Sequence, residues 1–265
     1  LQRIEGQLDG DSKLAREVLS WITFAKRPLT TAEICCALAV EPNDTELDLE
    51  NIPDIEDLVS VCAGLVVVDP ESAIIRLVHY TTQDYFEKIS NAWNPSANLH
   101  ITTTCLTYLS FSAFQDGSCS TDREFKERLQ QNKFLDYAAK HWGEHATWVE
   151  TEVFSQACWM LLQSNLLSCA TQVLLVTDIN YESKSQSYAK LTPLHYTARF
   201  GLCGVTKGIL PEGDERATNA VNSQDSWGKT PLLYAARHGH VKFAQLLLEK
   251  NADVNAQCGQ YGNAL

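Results

Sequence analysis

The stretch Asp225-Ser226-Trp227-Gly228-Lys229-Thr230-Pro231-Leu232-Leu233-Tyr234-Ala235-Ala236-Arg237-His238-Gly239-His240 carries a full set of helix start, packing and stop signals. The Thr230 hydroxyl suits an N-cap, and Pro231 follows at the first helical position, where a missing N–H leaves nothing unpaired. Ala235 and Ala236 let a neighbouring helix approach closely. Gly239 supplies a left-handed turn, and Leu246-Leu247-Leu248 form the buried stripe of a second helix. Asn251 also enters the left-handed region readily, and Ala252-Asp253-Val254-Asn255 starts an outward finger. The opening of this unit recurs: Thr192-Pro193-Leu194-His195 precedes Thr230-Pro231-Leu232-Leu233 by 38 residues, and a third start follows 33 residues later at Asn263-Ala264-Leu265.

A fixed period of this size outweighs local propensity in setting a fold, and the unit resembles an ankyrin repeat. The copy at 192 departs from it, because Pro211-Glu212-Gly213-Asp214-Glu215 shortens the second helix and lengthens the loop. Two units bury too little core, and at least three are needed, so further repeats are expected after Leu265 and the chain reads as a piece of a longer protein.

The 265 residues, 45% hydrophobic and 20% charged, suffice for about two domains. Acidic residues outnumber basic ones 33 to 21, and the net charge of -12 disfavours coating of nucleic acid or anionic membranes. Residues 1–92 hold 17 acidic and 7 basic side chains, against 16 and 14 in 93–265, which places a boundary near Asn91-Ala92-Trp93-Asn94-Pro95. The apolar runs, Ala157 to Leu162 and Ile34 to Val40 among them, are far short of a membrane helix. Nine cysteines, an odd number without a C-x-x-C pair, suit buried reduced thiols, and a cytoplasmic location is expected.

In the first part, Leu14, Val18, Leu19, Ile22 and Phe24 mark a helix that ends at Lys26-Arg27-Pro28. Thr30 or Thr31 caps a second helix through Val40 with Glu33 in its first turn. A linker with eight carboxylates between Glu41 and Asp57 should be a solvated loop. A third helix covers Ile55 to Cys62. Leu65-Val66-Val67-Val68 and Ile74-Ile75-Arg76-Leu77-Val78 then form a hairpin, and Thr81 or Thr82 caps a following helix. This is winged-helix order. The chain therefore divides into 1–12 (the end of an upstream module or linker), 13–92 (a winged-helix domain), 93–187 (a helical connector) and 188–265 (an incomplete ankyrin array). The expected fold class is mainly α: a winged helix with a small β-hairpin, a helical connector and an ankyrin-repeat solenoid.

The residues carry no catalytic pattern. Trp227-Gly228-Lys229-Thr230 ends like a phosphate-binding loop, but Ser223 stands where the spacing requires Gly. His141 and His145 share a helix face, yet Glu144 is at the wrong offset for H-E-x-x-H and Gly143 weakens the helix, so aromatic packing is preferred to zinc. His195, His238 and His240 suit turn-stabilising hydrogen bonds. Neither a G-x-S-x-G elbow nor a cysteine signature is present. A winged helix invites DNA, but Asp54, Glu56 and Asp57 open the third helix beside the acidic linker, so duplex contact is disfavoured.

The stretch Leu77-Val78-His79-Tyr80-Thr81-Thr82-Gln83-Asp84-Tyr85-Phe86 resembles the winged-helix segment downstream of NACHT nucleotide-binding domains. Val61-Cys62-Ala63-Gly64-Leu65, Thr103-Thr104-Cys105-Leu106-Thr107-Tyr108-Leu109 and Tyr137-Ala138-Ala139-Lys140-His141-Trp142 extend the resemblance to fungal NACHT-ankyrin proteins of the NLR-like STAND class. The resemblance implies a non-catalytic regulatory segment. An upstream NACHT module would supply the NTPase centre and bind ATP or ADP, this chain would contact it intramolecularly, and the repeats would bind a protein partner. It further implies that His79 reaches the ADP diphosphate, where an imidazole N–H donates to a phosphate oxygen. A structural histidine at a strand end is the other reading. Trp227, Tyr234, Arg237 and His238 are the partner-contact residues that an ankyrin array implies, with Trp227 as the anchor. The rival reading is a plain ankyrin adaptor with no nucleotide switch.

Overall fold

The computed structural model of the chain describes residues 2–176, 190–210 and 213–256. The polar segment Tyr181 to Ser187, Cys258 and the third repeat start at Asn263 lie outside the described residues.

The amino-terminal module forms as its apolar spacing dictates. After α1 (Gln2–Glu5), α2 (Asp9–Phe24) buries Ala15, Val18, Leu19 and Trp21. Ile4 is buried and the Gln7 amide donates to the Val61 carbonyl at 3.0 Å. The expected boundary at residue 12 therefore falls inside a helix, and the residues before it pack on this module instead of forming a linker. β1 (Leu29–Thr30) leads into α3 (Thr31–Leu38), which starts at a capping box: the Thr30 hydroxyl accepts from Glu33 N, and the Glu33 carboxylate accepts from Thr30 N. Asp54 caps α4 (Ile55–Val61). Ala63 and Gly64, both at positive φ, turn the chain into β2 (Val66–Val68). In the hairpin loop the Asp69 carboxylate accepts from Glu71 N, Ser72 N and the Ser72 hydroxyl before β3 (Ile74–Leu77).

The sheet has three antiparallel strands in the order β1-β3-β2, with Leu29 opposite Ile75 and Val67 opposite Arg76. The sequence reading expects only the hairpin. The third strand is two residues long beside Pro28, too short for an alternating pattern to show. Next, α5 (Tyr80–Trp93) begins ahead of both expected caps, because the His79 carbonyl already accepts from Thr82 N at 3.0 Å. The acidic linker is mostly exposed, as its charge predicts, with a tight turn at Leu49–Asn51 capped by Asp48. It is also tied down, since Ser112 N donates to the Thr45 carbonyl at 2.8 Å.

The connector comprises α6 (Ala97–Leu109), α7 (Asp122–Gln131), α8 (Leu135–Ala146), α9 (Phe154–Leu162) and α10 (Ser164–Val176). The repeats follow as α11 (Pro193–Phe200), α12 (Cys203–Ile209), α13 (Asp214–Val221), α14 (Pro231–Arg237) and α15 (Val241–Glu249). Thr230 caps α14 by accepting from Leu233 N. Gly201, Gly239 and Asn251 take the left-handed conformation, with φ of 75°, 73° and 64°. Where the sequence reading expects a lengthened loop after α12, an extra helix α13 stands, with Ala217 and Val221 buried.

The stacking shows where the solenoid begins. α11 packs on α14 and α12 on α15, and in the same manner α8 packs on α11 and α9 on α12. The pair α8–α9 thus sits where a preceding repeat would. Its sequence agrees: Leu135-Asp136-Tyr137-Ala138-Ala139-Lys140 parallels Leu232-Leu233-Tyr234-Ala235-Ala236-Arg237. The signature start Thr-Pro is missing at Lys133-Phe134, which hides the copy from a motif search.

Candidate protein-interaction surface and switch residues

The finger before α14 is built around one buried carboxylate. Asp225 is 6% exposed, and its Oδ1 accepts from Trp227 N and Lys229 N, each at 2.8 Å. Its Oδ2 accepts from the Tyr234 hydroxyl at 2.8 Å. Gly228, at φ 74°, closes the turn. His195 joins the two repeats: Nε2 donates to the Lys229 carbonyl at 2.9 Å, and Nδ1 accepts from Thr192 N at 3.2 Å. Burial lowers its pKa, so the neutral ring that this pairing needs is the favoured form. His240 donates from Nε2 to the Arg199 carbonyl at 2.9 Å. These are the turn-stabilising roles expected for His195 and His240.

The four partner-contact candidates divide. Trp227 is 36% exposed, with Lys229 Nζ 5.0 Å from its ring centroid. Arg237 and His238 are exposed at the end of α14, and the His238 ring lies 6.2 Å from His240 in a stacked arrangement. Tyr234 is a correction. It is 6% exposed, its ring meets His195 edge-on at 5.5 Å, and its hydroxyl is held by Asp225. A tyrosine on the inner helix looks like a contact residue in sequence, but burying an aromatic ring with a satisfied hydroxyl is the more stable use of it here.

His79 lies between β3 and α5 with an exposed side chain, two residues beyond the last strand residue. The histidines at 141 and 145 behave as packing residues. His145 is fully buried, Nε2 accepts from the Tyr137 hydroxyl at 2.8 Å and Nδ1 donates to Asn98 Oδ1 at 2.9 Å. His141 pairs with Glu144 at 3.0 Å. Among the described residues no group of three or more His, Cys, Asp or Glu is placed to hold a metal ion. The eight described cysteines are free, six of them buried, and burial pushes every thiol up, Cys62 to about 12.

Sequence reasoning missed the residues that join the winged helix to the solenoid. Arg27 Nη2 contacts Glu33 at 2.6 Å and Asp136 at 2.9 Å, and Lys140 contacts Asp136 at 2.5 Å. Lys26 N donates to the Tyr137 hydroxyl at 3.1 Å, and Trp21 meets Phe134 and Tyr137 edge-on at 5.5 and 5.9 Å. The far side of α8 is keyed into the first signature repeat. Trp142 Nε1 donates to the Tyr196 hydroxyl at 3.2 Å, and that hydroxyl donates to the Ala139 carbonyl at 2.6 Å. The signal was charge placement: Lys26-Arg27 reads as a helix C-terminus, while its partner Asp136 is 109 residues away.

The chain thus combines a winged helix domain with ankyrin repeats, and neither is a catalytic module. Residues 5–94 match the family model "GPI inositol-deacylase, winged helix domain", and residues 156–258 match "Ankyrin repeats (3 copies)". The second match begins inside the expected connector, within α9. Among curated proteins, the chain is similar to azaphilone pigments biosynthesis cluster protein L of Monascus ruber, 27% identical over 269 aligned residues that cover 89% of this chain and 55% of that protein. It is also similar to transient receptor potential cation channel subfamily A member 1 of Homo sapiens, 38% identical over 79 residues, or 30% of this chain and 7% of that protein. Acyl-CoA-binding domain-containing protein 2 of Arabidopsis thaliana is 37% identical over 82 residues, or 29% and 20% of the two chains. The chain therefore spans about half of the first relative and a small part of the others. No solved structure matches it. Among the described residues no single helix is long and apolar enough to cross a membrane. The bent pair α9–α10, which passes the length and composition test together, turns by 92° and buries its apolar face on α8 and α12.

Proposed function

We propose that this chain is the regulatory, protein-binding segment of a NACHT-type cytoplasmic receptor, in which the repeats bind a protein and the winged helix holds a nucleotide-dependent closed state. The observation that carries the reading is α8, which is keyed on one face to Lys26 and Arg27 and on the other to Tyr196 of the first signature repeat. A partner that pulls on the repeats would move the winged helix with them, because α8 contacts both directly. Coupling of about 1 to 3 kcal/mol between partner and nucleotide is the usual size for such a device.

In this reading His79, exposed at the start of α5, faces the upstream NACHT module and donates an N–H to the diphosphate of ADP. Trp227, Arg237 and His238 contact the partner. The test uses the complete protein with its upstream module. His79→Ala should raise the ADP dissociation rate and leave the unfolding of the 265-residue chain unchanged. ADP release that ignores both this substitution and saturating partner would leave an adaptor without a nucleotide switch.

A further inference from the structure

The repeats carry a charge pattern opposite to the rest of the molecule. Residues 190–200 and 225–238 hold four basic side chains, Lys190, Arg199, Lys229 and Arg237, and one carboxylate, Asp225, in a chain of net charge -12. Neither α11 nor α14 contains an acidic residue. Asp225 is buried, and its oxygens accept from Trp227 N, Lys229 N and the Tyr234 hydroxyl.

The basic groups also converge. Arg199 and Arg237 occupy the same place, in the last turn, of the successive and mutually packed helices α11 and α14. Lys229 Nζ lies 5.0 Å from the Trp227 ring centroid on the finger that Tyr234 anchors. Lys190 N donates to Ser226 Oγ at 3.1 Å, which places Lys190 beside the same finger. Arg237, Lys190 and Trp227 are exposed. Lys190, Lys229 and Trp227 thus gather at the finger, and Arg199 and Arg237 stand on the two packed helices that it adjoins.

We infer that this basic and aromatic strip takes an extended acidic protein segment, rich in Glu or Asp and carrying an apolar side chain to lie on Trp227. The inference rests on the reading of the repeats as a protein-binding array, and it names the chemistry of the partner. Cations spread over two helices and a finger match several carboxylates better than a single anion, and complementary charge of this kind sets partner choice and association rate. Nucleic acid is the poorer fit: the strip spans two repeats, while a duplex brings one phosphate charge per about 1.7 Å along its axis toward a chain that is strongly acidic elsewhere.

The test measures fluorescence anisotropy of a labelled Glu-rich peptide with one central Leu, against its Gln-for-Glu counterpart and a single-stranded oligonucleotide of equal charge, on the whole chain. The Glu peptide should bind at low salt and weaken as salt rises, and the Gln peptide should not bind. Lys229→Glu and Arg237→Glu should each raise Kd by about tenfold, whereas Lys250→Glu on the exposed end of α15 should change it little. Should a charge reversal perturb the fold, Arg237→Gln, which keeps the polar chain, gives the same reading at smaller amplitude. Equal binding of both peptides, preference for the oligonucleotide, or an equal effect of Lys250→Glu overturns the inference. A natural partner that needs Trp227 but ignores both reversals would end this inference and leave the protein-binding reading standing. An array that binds no protein ends both.

Discussion

Replacing Gly143 by alanine tests whether α8 is locked to the solenoid. In an isolated helix the change is favourable, since alanine stabilises a helical position by about 0.5 to 1 kcal/mol relative to glycine. Here a Cβ would stand 2.3 Å from Phe200 Cγ, 2.4 Å from Cδ2 and 2.8 Å from Cδ1. These are the body of a ring, and Phe200 is 5% exposed between Trp142 and Tyr196, so it cannot swing aside. Overpacking of a filled core costs about 1 to 3 kcal/mol, which exceeds the propensity gain. Gly143→Ala should therefore destabilise by about 1 to 2 kcal/mol, or lower Tm by several degrees at ~2–4 °C per kcal/mol. Gly10, in the first turn of α2, has nothing within 4 Å of its would-be Cβ, so Gly10→Ala should be neutral or stabilising. Urea unfolding of both variants checks the pair. A Gly143→Ala protein as stable as Gly10→Ala would refute the close contact between α8 and α11.

His145 predicts a pH dependence with a definite sign. Burial, then the nearby charges of Lys26 and His141, lower its pKa to about 3 from 6.5, so the folded state favours the neutral ring. Its contribution is complete above pH 6.5 and declines as pH falls toward 3, by at most ~1.4 kcal/mol per unit. Unfolding of His145→Gln should be flatter than that of the parent between those limits, and parallel curves would count against the assignment. Tyr234→Phe leaves Asp225 Oδ2 without its donor and should cost about 1 to 2 kcal/mol in urea unfolding, where a surface tyrosine would cost almost nothing. Arg27→Ala leaves Glu33, 9% exposed, without its cation and takes one of two cations from Asp136, 27% exposed, which keeps Lys140, and should destabilise by roughly 1 to 2 kcal/mol after allowance for solvent. Arg16→Ala, which breaks only an exposed contact with Glu5, should change stability by less than about 0.5 kcal/mol.

Much of the architecture was legible because it rests on local signals. Thr230-Pro231, Gly239 and Asn251 name their conformations whatever surrounds them, and β-branched runs at Val66–Val68 and Ile74–Leu77 pair across a short loop. What escaped notice depends on partners far along the chain. β1 exists because Ile74 and Ile75 lie beside Leu29 and Thr30. The pair α8–α9 lost its Thr-Pro start while its Leu-x-Tyr-Ala-Ala core still stacks on α11 and α12. Of the four candidate contact residues, Trp227, Arg237 and His238 stand exposed while Tyr234 is buried, since an inner-helix tyrosine looks the same in sequence whether it faces solvent or Asp225.

Element type and repeat period follow from the order of residues alone, because helix caps, left-handed turns and the spacing of apolar groups act over a few positions. Burial of Tyr234, the packing of α11 on α14, and the bond between the winged helix and α8 belong to the folded molecule. Those contacts join residues tens to more than a hundred positions apart, and only the packed core brings such groups within hydrogen-bonding or Coulombic range.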